Sequence, residues 1–279
     1  MKISIAVPSF NYARFLSQCL DSIRTQAHQD IEVLIADGGS TDGSVEIIEA
    51  YCQKDNRFKF VSRSDAGQAD AIKLAFAYAT GDILCFLNAD DCFLHNHVFS
   101  TVVNDFKMHP QVSVLTYGGD YLDADGKKIK KINYRYHPLD GFHWMPYRTA
   151  IIQPATFWQK HVYKPDEWPS NYHFVFDVVF FYQAYLKYQW LESPMPVAGY
   201  RLHGENKSMS VKSKRIFELA AFEGMKFGNH SFRARYLKLL ALLIEKLERK
   251  GSLGKKLTHA IYLFNNGLAF LSFYRIPGI

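Results

Sequence analysis

Cysteine is scarce: four residues in 279, at Cys19, Cys52, Cys85 and Cys92, with no CxxC spacing and three of them inside apolar runs. That usage excludes a disulfide framework and predicts reduced thiols in a cytosolic, cytoplasmic protein. No clean run of 18 apolar residues occurs, so no membrane-spanning helix is expected. The opening MKISIAVPSF lacks the longer apolar core and small-residue cleavage site of a signal peptide. G-x-G-x-x-G is missing, which excludes the dinucleotide fingerprint, and the missing Walker loop argues against an ATPase. No internal repeat or low-complexity segment stands out.

What is present is enough apolar material for a substantial core, 48% of the chain, and an uneven charge. The net charge of +6 arises wholly in the last quarter: residues 211–279 hold 13 Lys+Arg against 4 Asp+Glu, while the first 210 hold 20 against 23. A division into a domain at 1–210 and a basic helical extension at 211–279 follows. The extension lacks aromatics interleaved with basic residues on one face, so nucleic acid is not the expected partner.

The first 117 residues alternate. ISIAVP, IEVLIA (31–36), FKFVS (58–62), DILCFL and VSVLTY (112–117) read as strands. Between them, helical faces are marked by Tyr12, Phe15, Leu16, Cys19, Leu20 and Ile23, then by Val45, Ile48 and Cys52. The later faces are Ala69, Ile72, Phe76 and Ala79, then Val98, Val102 and Phe106. Such alternation predicts a parallel sheet covered on both faces, with ligands bound beyond the carboxyl ends of its strands. The polar residues Ser9, Asn11, Asp37, Asp65, Asp90 and Asp91 fall at those ends. Farther on, DYLDADGKKIKK predicts a hairpin turning at Asp125-Gly126. Its aspartates do not make a calcium loop, because Ile132 stands where a bidentate Glu is needed.

ILCFLNADDCF (83–93) poses a chemical question, since a buried strand ends in two adjacent carboxylates. Asp90 and Asp91 are ordinary turn residues, and equally an oxygen-rich site for Mg²⁺ or Mn²⁺. In ADGGSTDGS (36–44), Gly38-Gly39 permits a sharp turn and Asp37 suits a nucleobase or ribose. The segment HFVFDVVFFYQAYL (173–186) is apolar nearly all round, as a buried helix would be, and its Asp177 is a buried salt-bridge member, a residue on a helix face that opens to solvent, or a general base tuned by its surroundings. His203 reads most simply as a surface residue after a strand, or as a metal ligand or phosphate donor with Arg201 and Lys207 nearby. His95 and His97, at the start of a helix, read as solvated.

VPSFNYARFLSQCLDSI, IEVLIADGGSTDGSVEII, DAGQADAI, ATGDILCFLNADD, IIQPATFW and YRLHGENKS occur in the order seen in inverting family 2 glycosyltransferases of bacterial glycan biosynthesis. The chain resembles that family over residues 1–210. The resemblance implies the GT-A fold, an α/β architecture with a Rossmann-like, mostly parallel nucleotide-binding sheet flanked by helices. It implies that Pro8, Ser9, Phe10, Asn11 and Asp37 hold the nucleobase and ribose, and that Asp65, Gln68 and Asp70 line the same pocket. Asp91 becomes the direct ligand of a divalent cation (Mn²⁺ or Mg²⁺), with Asp90 nearer the ribose and also in the metal set. Asp177 falls where the family places its catalytic base, His203 in a motif that closes over diphosphate and metal, and Gln153 and Thr156 near the acceptor.

The implied activity is transfer of a sugar from a nucleoside-diphosphate sugar, UDP-sugar by default, to the hydroxyl of a glycan or lipid-linked glycan acceptor, with inversion. Two departures stand out. Lys73 and Ala75 replace the Asn and Gly of the common ADAINKGF, and VFFYQAY with Gln183 replaces an LWLRL-like ending. They leave open a nucleotide-sugar-binding protein without transferase activity. The apolar stripes and basic face of residues 236–273 predict either a packed helical appendage or peripheral contact with an anionic membrane.

Overall fold

The computed structural model describes residues 1–132, 151–204, 212–228, 231–249, 257 and 261. The chain divides into two compact units, one of Met1–Leu139 with Ala150–His203 and one of Asp140–Thr149 with Gly204–Ile279.

In the first unit β1 (Ile3–Ser9), β2 (Ile31–Asp37), β3 (Phe58–Ser62) and β4 (Ile83–Phe86) are parallel neighbours. Helices α1 (Ala13–Arg24), α2 (Ser44–Lys54) and α3 (Gln68–Phe76) connect them. A two-residue strand, β5 (Cys92–Phe93), and α4 (Val98–Met108) lead to β6 (Val114–Leu122), and β7 (Lys128–Lys131) folds back on it. Then come β8 (Thr156–Gln159), α5 (Phe176–Lys187) and β9 (Trp190–Arg201). The strand order is β3-β2-β1-β4-β8-β6-β9-β5, with β7 beside β6. The mostly parallel sheet is interrupted by β8, antiparallel to both β4 and β6.

β1 and β2 are buried along their whole length, as strands covered on both faces must be. The anticipated face of α1 is buried through Phe15, Leu16, Cys19, Leu20 and Ile23, and that of α4 through Val98, Val102 and Phe106. Cys19, Cys85 and Cys92 are free and buried. The hairpin turns where the sequence placed it. Asp123 Oδ1 accepts the N–H groups of Asp125 and Lys127, and Gly126 has φ +85°.

Two helical expectations shift. The segment 173–186 does not begin as a helix: α5 starts at Phe176, so Asp177 lies in its first turn and is half-buried. Nor is α5 buried all round, since Leu186 is exposed. His95 also departs from a solvated reading. Its Nδ1 is enclosed, and burial with neighbouring His97 lowers its proton affinity.

The second unit contains α6 (Lys212–Phe227) packed on α7 (Phe232–Glu248). Ile216, Leu219 and Phe222 of α6 and Leu237, Ala241 and Ile244 of α7 are buried. Ser213 donates to Glu248 at 2.6 Å, so the start of α6 meets the end of α7. Ser231 caps α7 by accepting from the Ala234 N–H at 3.1 Å. Among the described residues, no helix is long and apolar enough to cross a membrane.

Candidate active site

The carboxyl ends of β1 and β2 are sewn together by short polar side chains. Asp37, nearly inaccessible, accepts from the Gly39 and Ser40 N–H groups and the Ser62 hydroxyl through Oδ2, and from the Ser40 hydroxyl through Oδ1. Asn11 takes a positive φ of 57°, donates its N–H to Ser40 Oγ and accepts from the Thr41 N–H. Asn tolerates that left-handed conformation better than most residues. Pro8 is buried; Phe10 is 57% exposed. Gly38 keeps open the gap between the Phe10 ring and Asp65, for a Cβ there would lie 3.2 Å from each. The buried Ser9 hydroxyl has no hydrogen-bond partner among the described residues.

The β3–α3 loop supplies the next wall. Asp65 accepts the Gly67 N–H at 2.8 Å, and Asp70 accepts the Ala66 N–H at 3.2 Å. Gln68, the first residue of α3, donates to Asn88 Oδ1 at 2.6 Å. The sequence-marked strip of Pro8 to Asn11, Asp37, Asp65, Gln68 and Asp70 thus forms one edge.

Past β4 stands the acidic pair. Asp91 is 1% exposed, and burial first, then the neighbouring Asp90 carboxylate, push its pKa well above 3.8. Its Oδ1 accepts the Arg201 N–H at 3.0 Å, and its Oδ2 faces the Asn88 amide at 3.3 Å. Asp90 Oδ2 lies 3.0 Å from His203 Nε2. His203 is not the surface residue its position after a strand suggested. Its side chain is 4% exposed and its ring packs on Phe15, with centroids 4.5 Å apart.

Arg201, read in the sequence only as a nearby cation, is a buried strut. Its Nε donates to the Asp90 carbonyl at 2.7 Å, its other nitrogens reach Gln18 and the carbonyls of Asp123 and Ala124, and its guanidinium lies over Phe15. Its position at the end of β9, opposite the acidic pair across 110 residues of sequence, is the contact no local pattern reveals.

Asp177 is positioned by aromatic packing. Phe176 lies against Phe86 at the end of β4 and against Trp168, whose indole N–H donates to the Ala69 carbonyl in α3 at 2.8 Å. Its Oδ1 accepts the Val178 N–H at 2.9 Å, in a first turn whose free N–H groups favour a carboxylate. Gln153, 8% exposed, donates to the Phe86 carbonyl and accepts from Asn88; Thr156 is buried and bonded to Thr116. Lys207 lies outside the described residues.

The glycosyl transferase family 2 model matches residues 4–187, two thirds of the chain and nearly all of the site just described. The chain belongs to glycosyl transferase family 2.

An uncharacterized glycosyltransferase of Nostoc sp. is 30% identical over 231 residues, covering 76% of this chain and 68% of that protein. One from Haemophilus influenzae is 36% identical over 132 residues, covering 47% of this chain and 52% of that one. Other relatives are much longer: the match spans 24% of a Rickettsia bellii glycosyltransferase. Among solved structures, Staphylococcus aureus TarS 1–349 in complex with UDP-GlcNAc has TM-score 0.63 at 16% identity, over 89% of this chain and 81% of that one. Mannosyltransferase PcManGT from Pyrobaculum calidifontis, in complex with GDP-Man and Mn²⁺, has TM-score 0.62 at 17% identity, over 98% and 81%. These likenesses establish the GT-A fold of the family-2 chain.

The donor set can be tested against a divalent cation. Among the described residues, no three His, Cys, Asp or Glu side chains converge to hold an ion unaided. Two adjacent carboxylates, one deeply buried and pushed up in pKa by burial and by its neighbour in spite of Arg201, suit instead a hard cation that arrives with phosphate oxygens and water. The residues fit that kind of site.

Proposed function

We propose that this family-2 glycosyltransferase moves a sugar from a nucleoside-diphosphate sugar, with UDP the default nucleotide, to an acceptor hydroxyl with inversion. The observation that carries the reading is Asp91, buried beside Asp90 at the carboxyl end of β4 and pushed toward its neutral form. A buried like-charge pair is costly without a counter-ion, and a strand end is where such sheets take their ligands. Asp91 and Asp90 would hold Mn²⁺ or Mg²⁺, with His203 beside them. When bound, the cation supplies charge stabilisation for the departing diphosphate.

The chain's own residues do the rest. The exposed Phe10 ring, the gap at Gly38 and the unpartnered Ser9 hydroxyl receive the nucleobase and ribose, with Asp37 fixing the loop and Asp65, Gln68 and Asp70 lining the wall. Asp177 takes the proton of the attacking acceptor hydroxyl as the bond to the anomeric carbon forms on the face opposite the leaving diphosphate. Gln153 and Thr156 form the acceptor side.

The acceptor class is a glycan or lipid-linked glycan of bacterial surface biosynthesis, and the domain boundary lies near 210/211. Peripheral contact of 211–279 with an anionic membrane is supported by the outward apolar residues Phe232, Leu239 and Leu243 of α7, flanked by Arg235 and Lys246. Asp177→Asn should lower kcat by about 10²- to 10⁴-fold while leaving Mn²⁺-dependent UDP binding intact. Full turnover in that variant removes Asp177 from the base role.

A further inference from the structure

An unbroken line of side-chain amides runs past the carboxyl end of β4. Gln68 Nε2 donates to Asn88 Oδ1 at 2.6 Å. Asn88 Nδ2 in turn faces Asp91 Oδ2 at 3.3 Å and Gln153 Oε1 at 3.2 Å. Gln153 Nε2 ends the line on the Phe86 carbonyl at 2.6 Å.

The direction of every amide in it is set by an obligate acceptor. A backbone carbonyl cannot donate, so Gln153 must present Nε2 to Phe86 and its oxygen to Asn88. With the Gln153 oxygen facing it, Asn88 must present its nitrogen there, the same nitrogen that faces Asp91, and its oxygen to Gln68. Reversing any one amide would set oxygen against oxygen or nitrogen against nitrogen in a partly dehydrated site, where a mispaired polar group is expensive.

We infer that Asn88 is a positioning residue that orients Asp91 and couples Gln68, on the donor edge, to Gln153, on the acceptor side. The inference rests on the reading of Asp91 as the cation-facing carboxylate. An aspartate at 88 would keep the acceptor for Gln68 but lose both donors, turning a lone pair toward Asp91 and another toward Gln153. The amide is therefore what this geometry requires, although a third carboxylate would add a metal-type ligand. The coupling has a consequence for the reaction: filling the acceptor side at Gln153 adjusts the donor edge without any contact between the two substrates.

The test titrates the full chain with UDP in the presence of Mn²⁺, comparing Gln68→Ala, Gln153→Ala and the double variant. Each single change should raise the Kd for UDP by about 3- to 10-fold, the scale of one hydrogen bond, and the double should go little beyond the worse single. A double whose factor is the product of the two singles, or a Gln153→Ala variant with native affinity, overturns the coupling. Asn88→Asp should weaken binding of Mn²⁺ alone, read from the free-ion paramagnetic resonance signal, with its melting temperature recorded alongside; equal or tighter Mn²⁺ binding overturns the orienting role.

If the native chain takes up neither Mn²⁺ nor UDP, the donor-site reading fails. The line is then read in the ligand-free chain from ¹⁵N-labelled Asn and Gln side-chain amides. A shift of the Gln68 amide on Gln153→Ala supports the coupling, and an unmoved one overturns it.

Discussion

Asp91 and Glu32 are buried carboxylates at opposite ends of the parallel sheet, and their surroundings drive them in opposite directions. At the amino end of β2, burial alone would raise the pKa of Glu32. Hydrogen bonds from Ser4, Lys2 and Thr80 outweigh it and bring the value from 4.5 down to about 2. A folded-state pKa below the unfolded one gives stability that is present above about pH 4.5 and lost as pH falls toward 2, worth about 3 kcal/mol in full. Glu32→Gln should therefore destabilise the chain at pH 7 and flatten the acid limb of its unfolding curve, measured by urea denaturation between pH 2 and 7. An unchanged acid limb would show that other carboxylates govern it. Asp91 has the opposite sign: its raised pKa means stability present at low pH and lost as pH rises through that value. Glu32 adds to the stability of the chain at neutral pH and Asp91 subtracts from it. Of these residue-scale facts the sequence showed the acidic pair, because charge at the end of an apolar run is conspicuous. It did not show that Arg201 braces the pair or that His203 is enclosed, since both depend on the long-range pairing of β9 with β5 and β6.

The helices of the first half were legible, and the anticipated faces of α1, α3 and α4 are largely buried, while in α2 Ile48 is buried and Val45 and Cys52 only half-buried. β8 and β9 were not. They follow an irregular stretch, β9 carries Pro194 and Pro196, and its register against β6 shifts twice near Gly118. β5 is two residues long and exists only as a pairing with β9. The start of α5 was misread because Phe174 and Val175 extend its apolar pattern without being helical. That correction changes the chemistry: a carboxylate in a first turn faces free N–H groups, whereas one in mid-helix would face only apolar neighbours. The β6–β7 turn also serves the site, because the Asp123 and Ala124 carbonyls receive Arg201. Gly126 holds its positive φ there, and a Cβ would collide with the Gln18 amide, the same side chain that accepts from Arg201. Gly126→Ala should cost about 1–2 kcal/mol, seen as a lower urea midpoint. Native stability in that variant would mean the turn relaxes without strain.

At the scale of the whole molecule, the charge asymmetry and the outward apolar residues of α7 bear on where the enzyme works. In a flotation assay with liposomes containing anionic lipid, the full chain should float at low salt and release at high salt. A chain that stays at the bottom at low salt removes the membrane contact and leaves α6 and α7 as a packed appendage. The acidic pair is the crux: in the proposed reading, a carboxylate buried beside a like charge is completed by a cation and a nucleotide diphosphate. Ligands that bind only the native state raise its melting temperature by mass action, so a thermal-shift panel of UDP, GDP and dTDP, with and without Mn²⁺, reads the claim directly. One nucleotide should stabilise the chain only when Mn²⁺ is present. Asp91→Asn should melt a few degrees higher than the native chain without ligand, yet show no Mn²⁺-dependent shift. A nucleotide shift indifferent to chelator and retained in Asp91→Asn would contradict it.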